Sequence, residues 1–595
     1  MHQPAMSKLQ AACAPILLIA LAGCGSWDDD EDRVPFWGFE QDTDSETETE
    51  TPQDPGCQEH YLDLDGRCIR YVNFASENPE CGFTWNTAFT DIQSGIDSAF
   101  AAALIHGGCQ VWVAGGLYRS YVWSPTNSIK LRPGVSVFGG FAGTEKLLHQ
   151  RDIPSHPTII DGREEDGAGH SYHVVLGSSD SILDGFIVQG GLADGDPPHH
   201  RGGGLYLNAA STKVRNCVLR ENRAIDGGAV FIYALQPSFA DTVFQDNEAV
   251  NGGAVYSING FPSFTDVEFL DNRADIDGGA VFFEQHYGAC HPKLAEAVLE
   301  SNAAGGSGGA VYNRGCSIKI DNVELEGNTA GTDGGAVATY GGSVIMENVD
   351  VRGNAAVRDG GGILAHMTKI ELNRSVIHDN RANRDAGGAY LITTFGKIFS
   401  TRVTGNRGSR NGGGLAVLFD SPWVVNTTVT GNRATSGGGV HNGPRAEPTL
   451  INCLLHGNRA LLAGGGLFNA ELASPEIVNS ILWGDLPDEI RNEDGGMAAA
   501  RFSTIQGGYP GHHVFDLDPL LAKEGHWHGG GGDDEFEEYV WVDGDYSLTG
   551  GSPCIDFSDE TVAPSHDASG QFWAETPGHG LPGIKVDMGP FDYIP

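Results

Sequence analysis

Four aspartates stand directly before pairs of glycines and are the residues of this 595-residue chain best placed to do chemistry: Asp226, Asp277, Asp333 and Asp359. Asp333 and Asp359 are 26 residues apart, a spacing that recurs along the chain. If 26 residues form one turn of a coil, their carboxylates stack about 5 Å apart and can share Ca²⁺ through oxygen ligands. Aspartate before glycine also suits a tight turn, and this structural role is the preferred interpretation, with Ca²⁺ as the alternative. We expect Ala386 to interrupt this column.

Histidines form a second candidate group, in a Gly-rich and acidic insertion near the C-terminus. They are His512, His513, His526 and His528. A His-x-His pair on a strand can bind Zn²⁺ or Ni²⁺. The four glycines that follow the pair favour a solvated loop instead, and this is our expectation.

Arginine follows most of the asparagines in a repeated motif, at Arg223, Arg273, Arg381, Arg407, Arg433 and Arg459. Stacked in a coil, these side chains would form a basic stripe along one corner. Such a stripe can hold an anionic glycan, but pairing with neighbouring aspartates and glutamates is the preferred interpretation.

The repeat itself is an asparagine followed by a glycine pair, and it occurs ten times. Successive asparagines are 25, 25, 30, 26, 26, 26, 26, 26 and 26 residues apart. Alternating apolar residues precede each asparagine, which indicates strands, and the segments are too short and too rich in glycine for stable helices. A coil of this period stacks its turns and lets asparagine side chains hydrogen-bond along the stack. The sequence predicts an all-β, right-handed parallel β-helix solenoid.

A family resemblance supports this fold. Asn222–Val230 and Phe244–Asn247 resemble the polymorphic outer membrane protein repeat, written GGA(I/V/L) and FxxN. The wider class is the pectin-lyase-like β-helix, and the resemblance covers about residues 71–595. It implies a capping helix at about Asp91–Ile105. The class contains polysaccharide lyases, hydrolases and surface binders, so the fold alone does not decide function.

The resemblance also implies where each part of the coil lies. The N-terminal cap and first turns are expected in residues 71–215, regular repeats in 216–510, and an irregular C-terminal cap in 511–595. Gly578–Gly580, a Gly-His-Gly triplet, is similar to a polygalacturonase motif. It lies in the expected cap without the aspartate motifs that accompany it in those enzymes, so we assign it no catalytic role.

The N-terminus resembles the export signal of bacterial lipoproteins. A short apolar run leads to Leu21-Ala-Gly-Cys24, which is similar to a lipobox and implies removal of residues 1–23 and acylation of Cys24. Gly25 follows the expected lipidation site in place of the aspartate that favours inner-membrane retention in many such lipoproteins, so the resemblance implies the outer membrane. Residues 24–56 are acidic and without apolar periodicity, which predicts a disordered tether. We expect a cell-envelope lipoprotein, surface-exposed or secreted, that contacts membrane through its lipid anchor only.

Exported proteins can keep disulfides. Of the eleven cysteines, one lies in the expected signal peptide and one is the expected lipidation site, so nine can form disulfides. Cys57 and Cys68 bracket a small segment, residues 57–70. The disulfide candidates are Cys57, Cys68, Cys81, Cys109, Cys290 and Cys316, and the sequence leaves their pairing open. Cys290 and Cys316 are separated by 26 residues, one repeat.

The charge balance of 78 acidic against 36 basic residues, a net charge of −42, excludes nucleic acid as a partner. With no recognised catalytic constellation, we predict a monomeric surface binding, adhesion or structural protein. Its ligand is a polysaccharide or a surface protein, and calcium at Asp333 and Asp359 is the one cofactor considered. The alternative is a polysaccharide lyase or glycoside hydrolase. The irregular turn containing Phe282–Tyr287 is the first place to seek a site.

Overall fold

The computed structural model describes residues 62, 68–77, 81–529, 539–573 and 585–593. These residues belong to one compact unit, Cys57–Pro595. The expected signal peptide, the lipidation site Cys24, the tether and Cys57 lie outside the described residues, as does Gly578–Gly580. Within the described ranges, no helix is long and apolar enough to cross a membrane.

The chain forms a right-handed parallel β-solenoid of about 15 turns, as predicted. One turn shows the path: Lys213–Arg215 and Val218–Arg220 lie in a 26-stranded sheet, Arg223–Asp226 in an 11-stranded sheet, and Val230–Tyr233 in a 14-stranded sheet. We call these sheets I, II and III. Each strand pairs in parallel with the equivalent strand of the next turn.

Sheet III carries the residues discussed below. Its strands are Ile129–Lys130, Val175–Leu176, Leu205–Asn208, Val230–Tyr233, Val255–Ile258, Val281–Glu284, Val311–Arg314, Val337–Tyr340, Ile363–His366, Ala389–Ile392, Leu415–Leu418, Val440–Asn442, Leu467–Asn469 and Ile490–Asn492.

Sheet II has the shortest strands. They are Leu192–Ala193, Arg223–Asp226, Glu248–Asn251, Arg273–Ala274, Ala303–Ala304, Thr329–Ala330, Ala355–Ala356, Arg381–Ala382, Arg407–Gly408, Arg433–Ser436 and Arg459–Ala463.

Sheet I begins with Ile69–Val72 and ends with Gly511–Phe515. In most turns it receives two strands, which merge into one long strand in the middle of the coil. The merged strands are Ser238–Gln245, Ser263–Leu270, Lys293–Glu300, Ser317–Glu326 and Ser343–Arg352. The next turns again have two strands each: Lys369–Asn373 and Val376–His378, Phe395–Phe399 and Arg402–Thr404, Trp423–Val425 and Thr428–Thr430.

The core is a stack of inward side chains. Val230, Val255, Val281 and Val311 occupy one register position in successive strands of sheet III, and all four are fully buried. No single turn can bury such a residue on both sides, so stability comes from stacking neighbouring turns.

The predicted asparagine ladder is present and buried. From Asn222 to Asn458, each Nδ2 donates to the Oδ1 of the next asparagine at 2.9 to 3.2 Å. The last bond runs from Asn458 to Asp485, which takes the place of an asparagine. The ladder satisfies buried polar groups at the corner between sheets I and II.

Close approach between turns explains the paired glycines. Gly334 has φ of +64°, and a Cβ on Gly335 would lie 2.1 Å from the carbonyl oxygen of Gly361 in the next turn. A side chain is therefore excluded at both positions.

The predicted capping helix is α1, Ile92–His106. The Asp91 side chain caps its N-terminus by accepting from the Ser94 amide at 2.8 Å, and Gly107 ends it in the left-handed conformation. Two short 3₁₀ helices, Trp85–Thr87 and Leu148–Gln150, flank this region.

The C-terminal region differs from the loop expected there. His526–Gly529 is a strand that pairs antiparallel with Tyr539–Val542, and Leu521–Lys523 pairs in the same sense with Asp545–Leu548. His526 and His528 therefore lie on a strand, and the expectation of a solvated loop at these two residues is wrong. His512 and His513 also lie on a strand, Gly511–Phe515.

Disulfides join neighbouring turns. Cys68 bonds to Cys109 and Cys290 bonds to Cys316, with Cα separations of 4.9 Å in both pairs. Cys81 is also disulfide-bonded. The free cysteines among the described residues, Cys217, Cys453 and Cys554, are buried.

Candidate functional site

Asp333 and Asp359 stack as predicted, and arginines lie against both. The Asp359 amide donates to Asp333 Oδ1 at 3.2 Å. Arg358 Nε lies 3.4 Å from Asp333 Oδ1, and Arg384 Nη2 lies 2.8 Å from Asp359 Oδ2. A cation shared by the two carboxylates would compete with these guanidinium groups.

The column continues through Asp385 rather than being interrupted at Ala386. The Asp385 amide donates to Asp359 Oδ1 at 3.1 Å, and Arg410 Nε donates to Asp385 Oδ1 at 2.8 Å. The expectation for Ala386 is wrong because that residue aligns with a glycine of the preceding turn.

No group of three or more histidine, cysteine or acidic side chains within the described ranges is arranged to hold a metal ion. This includes the histidines of the C-terminal region. Calcium at Asp333 and Asp359 stays a prediction, and it competes with the arginine contacts. Burial raises the pKa of Asp359.

The arginines of the repeat occupy one register column of sheet II. Arg381, Arg407, Arg433 and Arg459 follow one another in four successive turns. Arg223 pairs with Glu248 at 3.0 Å. The guanidinium groups of Arg433 and Arg459 lie over the ring of Trp527, at 5.6 and 5.1 Å from its centroid. Both acidic and aromatic partners therefore contact this column.

An aromatic column runs along the outer side of sheet III. It consists of residues at the second position of successive strands: Tyr206, Phe231, Tyr256, Phe282 and Tyr312. Consecutive ring centroids are 4.6 to 6.1 Å apart. Phe231, Tyr256 and Phe282 are buried, so this column packs as a continuous apolar layer.

The irregular turn places a buried glutamate beside this column. Glu284, the last residue of its strand, accepts a short hydrogen bond from the Tyr256 hydroxyl. It also accepts from Arg314 Nη1 at 3.1 Å and lies 3.1 Å from His286 Nε2. Burial and the Glu284 charge raise the pKa of Tyr256, so this phenol is a proton donor rather than a base.

Asn259 holds the extra residues of the irregular turn. Its Oδ1 accepts from the amides of His286 and Tyr287, at 2.9 and 3.1 Å. The Tyr287 and Tyr233 hydroxyls are hydrogen-bonded at 2.9 Å. Asn259 Nδ2 is buried and meets no hydrogen-bond acceptor in the described part of the chain. A donor left in this state is a place where a ligand or an ordered water can bind.

The Cys290–Cys316 disulfide fastens the same segment to the following turn. The Ser317 amide donates to the Cys290 carbonyl at 2.9 Å, and the Gln285 amide donates to the Arg314 carbonyl at 2.9 Å. The extra residues are therefore held at both ends, at Gln285 and at Cys290. This pre-organises His286 and Tyr287 for binding.

The cluster combines one buried carboxylate with exposed polar groups. Tyr256, Arg314 and His286 already contact the Glu284 carboxylate. Arg314, His286 and Tyr287 remain exposed, with 64%, 42% and 62% of their surface accessible. Guanidinium, imidazole and phenol groups so presented can hold the carboxylate or hydroxyl groups of a ligand.

The sequence pointed to Phe282–Tyr287 because the spacing of 30 residues departs from the repeat. It did not point to Tyr256 or Arg314, which come from the turns on either side. Tyr256 and Arg314 can be approached by counting one repeat backward and one repeat forward from Glu284. The extra residues of the irregular turn lengthen the forward spacing, so a count of 26 residues does not reach Arg314.

Neither a protein-family model nor a characterised protein sequence matches the chain. Among solved structures it is similar to the A-module of the Azotobacter vinelandii mannuronan C-5 epimerase AlgE6, at 14% identity, covering 72% of this chain and 96% of that chain with a TM-score of 0.31. It is also similar to pectate lyase Pel9A, at 11% identity, 88% and 96% coverage, and a TM-score of 0.23.

PfbA, a surface adhesin of Streptococcus pneumoniae, is a third similar structure, at 11% identity, 64% and 87% coverage, and a TM-score of 0.28. These likenesses concern the β-helix fold. They do not choose between an enzyme and a binding protein for this chain.

Proposed function

We propose that this protein is a cell-surface protein that binds polysaccharide without cleaving it, through the outer side of sheet III around Glu284. The observation that carries the proposal is the buried Glu284 carboxylate, which holds Arg314 and His286 in place while both remain exposed. Groups fixed in this way lose little conformational freedom when a ligand binds, and that favours affinity.

The proposed location is the outer membrane, with the protein anchored through an acylated Cys24 and spaced from the lipid by residues 24–56. The lipobox-like Leu21–Cys24 supports the anchor. The similarity of the repeats to those of polymorphic outer membrane proteins supports a place at the cell surface.

The catalytic alternative is a polysaccharide lyase or hydrolase acting at the same cluster. It is favoured by one observation, the meeting of Tyr256, His286 and Arg314 around a single carboxylate. A lyase needs a base for the sugar proton and a cation for the uronate, and the residue types at the cluster include both. We favour binding because Glu284 is already surrounded by donors.

The test compares retention on immobilised acidic and neutral polysaccharides for the protein and two variants, Arg314→Gln and Tyr287→Ala. We expect each variant to bind about tenfold more weakly, as for a central contact residue. Arg491→Gln is the matched control, because Arg491 is also exposed and ion-paired but lies far from Glu284, on the last strand of sheet III. Unchanged retention of both variants, or no retention of the wild type on any polysaccharide, would contradict the proposal.

The same samples separate binding from catalysis. Reducing ends and the ultraviolet absorbance of unsaturated uronates are followed over time, with and without Ca²⁺. Products that disappear in the Arg314→Gln variant would establish the enzyme alternative. Retention without products supports the binding protein.

A further inference from the structure

Two aromatic side chains on neighbouring strands of sheet I are exposed to solvent. Phe395 and Trp423 have 81% and 54% of their surface accessible. Lys397 pairs in register with Trp423 in the next turn, and Phe395 lies two residues before Lys397 in the same strand. Phe395 and Trp423 are therefore in adjacent turns and offset by two residues. Residues two apart in a strand point to the same side, and this offset places the two Cα atoms about 8 Å apart on the outer face.

A buried carboxylate fixes the turns that carry these rings. The Thr394 hydroxyl, next to Phe395, donates a short hydrogen bond to Asp420. Asp420 also accepts from the Ser421 amide at 2.7 Å, two residues before Trp423. Asp420 is almost wholly buried, and burial raises its pKa. These bonds join the two turns directly before the two aromatic residues.

Basic side chains lie beside the rings, together with Glu371, which pairs in register with Lys397. Lys369 lies 2.8 Å from Glu371 and Arg402 lies 4.0 Å from Asp543. Lys397 is exposed and, within the described ranges, forms no ion pair. An exposed ammonium between two exposed rings is complementary to a ligand that combines a flat apolar surface with a negative charge.

We propose that Phe395, Lys397 and Trp423 form a second saccharide site, which binds an acidic oligosaccharide by stacking sugar rings on the two aromatic side chains and pairing a sugar carboxylate with Lys397. Lys397 lies in register with Trp423 and two residues from Phe395, so a positive charge stands beside both rings and favours a ligand that carries a negative charge. The site lies on sheet I, whereas the Glu284 cluster lies on sheet III, so it goes beyond the proposed function.

The test is calorimetric titration of the Arg314→Gln full chain with a hexamer of galacturonic acid and with its methyl ester. We expect Phe395→Ala and Trp423→Ala each to weaken binding of both ligands about tenfold. Lys397→Gln is expected to remove the preference for the free acid and leave binding of the ester unchanged. Trp423→Phe should retain most of the affinity, because a flat ring remains.

Trp123→Ala is the matched control, since Trp123 is an exposed aromatic residue outside this site. It should bind both ligands as the parent does. The proposal is overturned if the parent chain binds neither ligand, or if Phe395→Ala and Trp423→Ala bind as the control does. Equal unfolding midpoints for all variants exclude a general loss of structure, because every substituted side chain is exposed. Retention by the wild type that depends on Arg314 alone supports the Glu284 site and counts against this one.

Discussion

At the scale of single residues, the end of the asparagine ladder contains a buried acid pair. The Asp485 amide donates to Glu489 Oε1 at 3.0 Å, and Asp485 Oδ2 and Glu489 Oε2 have no partner among the described residues. Burial, followed by the neighbouring Asp485 charge, raises the pKa of Glu489 far above its ordinary value of 4.5. Glu489 therefore keeps its proton at neutral pH.

This raised pKa determines how the stability of the folded protein depends on pH. The stabilising contribution of protonated Glu489 is complete below pH 4.5 and is lost as pH rises towards the folded pKa. We expect Glu489→Gln to unfold at about the wild-type temperature at pH 4.5 and at a higher temperature at pH 8. Melting temperatures across this range test it, with exposed Glu524→Gln as control. Parallel pH curves for the wild type and Glu489→Gln would contradict the assignment.

His378 gives a pH dependence of the same sign, but from a protonated group that gains ion-pair partners in the folded state. Hydrogen bonds to Asp350 and Asp379 raise its pKa from 6.5 to about 9. Its stabilising contribution is complete below pH 6.5 and is lost as pH rises through 9. At pH 6 we expect the free energy of unfolding of His378→Gln to be about 1–2 kcal/mol lower than that of the wild type. This value is reduced because His378 is partly exposed to solvent. Above pH 10 we expect the two free energies of unfolding to be equal. Urea unfolding at both pH values measures it, and a loss of equal size at both would show that packing, not charge, is responsible.

At the scale of elements, each ladder asparagine serves three neighbours. Asn354 Nδ2 donates to the Leu325 carbonyl and to Asn380, and its Oδ1 accepts from the amide and Nδ2 of Asn328. Its removal leaves several buried polar groups without partners, each costing about 1–3 kcal/mol.

We therefore expect Asn354→Ala to lower the free energy of unfolding by about 3–5 kcal/mol. The matched control is Asn383→Ala, an exposed asparagine in the next turn, for which we expect less than about 0.5 kcal/mol. Denaturant unfolding followed by circular dichroism measures both. Similar losses for the two variants would mean that the ladder adds nothing specific.

Periodicity predicted the elements because one repeat equals one turn, so the ladder and the stacked strands follow from counting alone. Counting fails where residues are inserted or where pairing is antiparallel. The strand His526–Gly529 was missed because its partner, Tyr539–Val542, lies beyond a glycine run. The Glu284 cluster was only located by its irregular turn, because the contacts of Tyr256 and Arg314 depend on side-chain packing across turns.

At the scale of the whole molecule, the described solenoid presents two candidate saccharide surfaces on different sheets. The Glu284 cluster lies on sheet III, and Phe395 and Trp423 lie on sheet I about four to five turns further along the chain. A long polysaccharide that contacts both sites would bind more tightly than either site alone, provided its length matches their separation. Affinity that rises steeply with oligosaccharide length is the expected sign of such bivalent binding.

The proposed anchor determines where these surfaces are displayed. Acyl chains contribute about 0.8 kcal/mol per buried CH₂, so several chains on an acylated Cys24 would hold the protein firmly at the membrane, whereas the acidic residues 24–56 would give no affinity for lipid. We expect Cys24→Ala to move the protein from the membrane fraction to the soluble fraction. Cys13→Ala is the control, because Cys13 lies within the expected signal peptide and would leave membrane association unchanged. Cys24→Ala protein that still sediments with membranes would refute the lipid anchor and leave both saccharide sites to be tested as they stand.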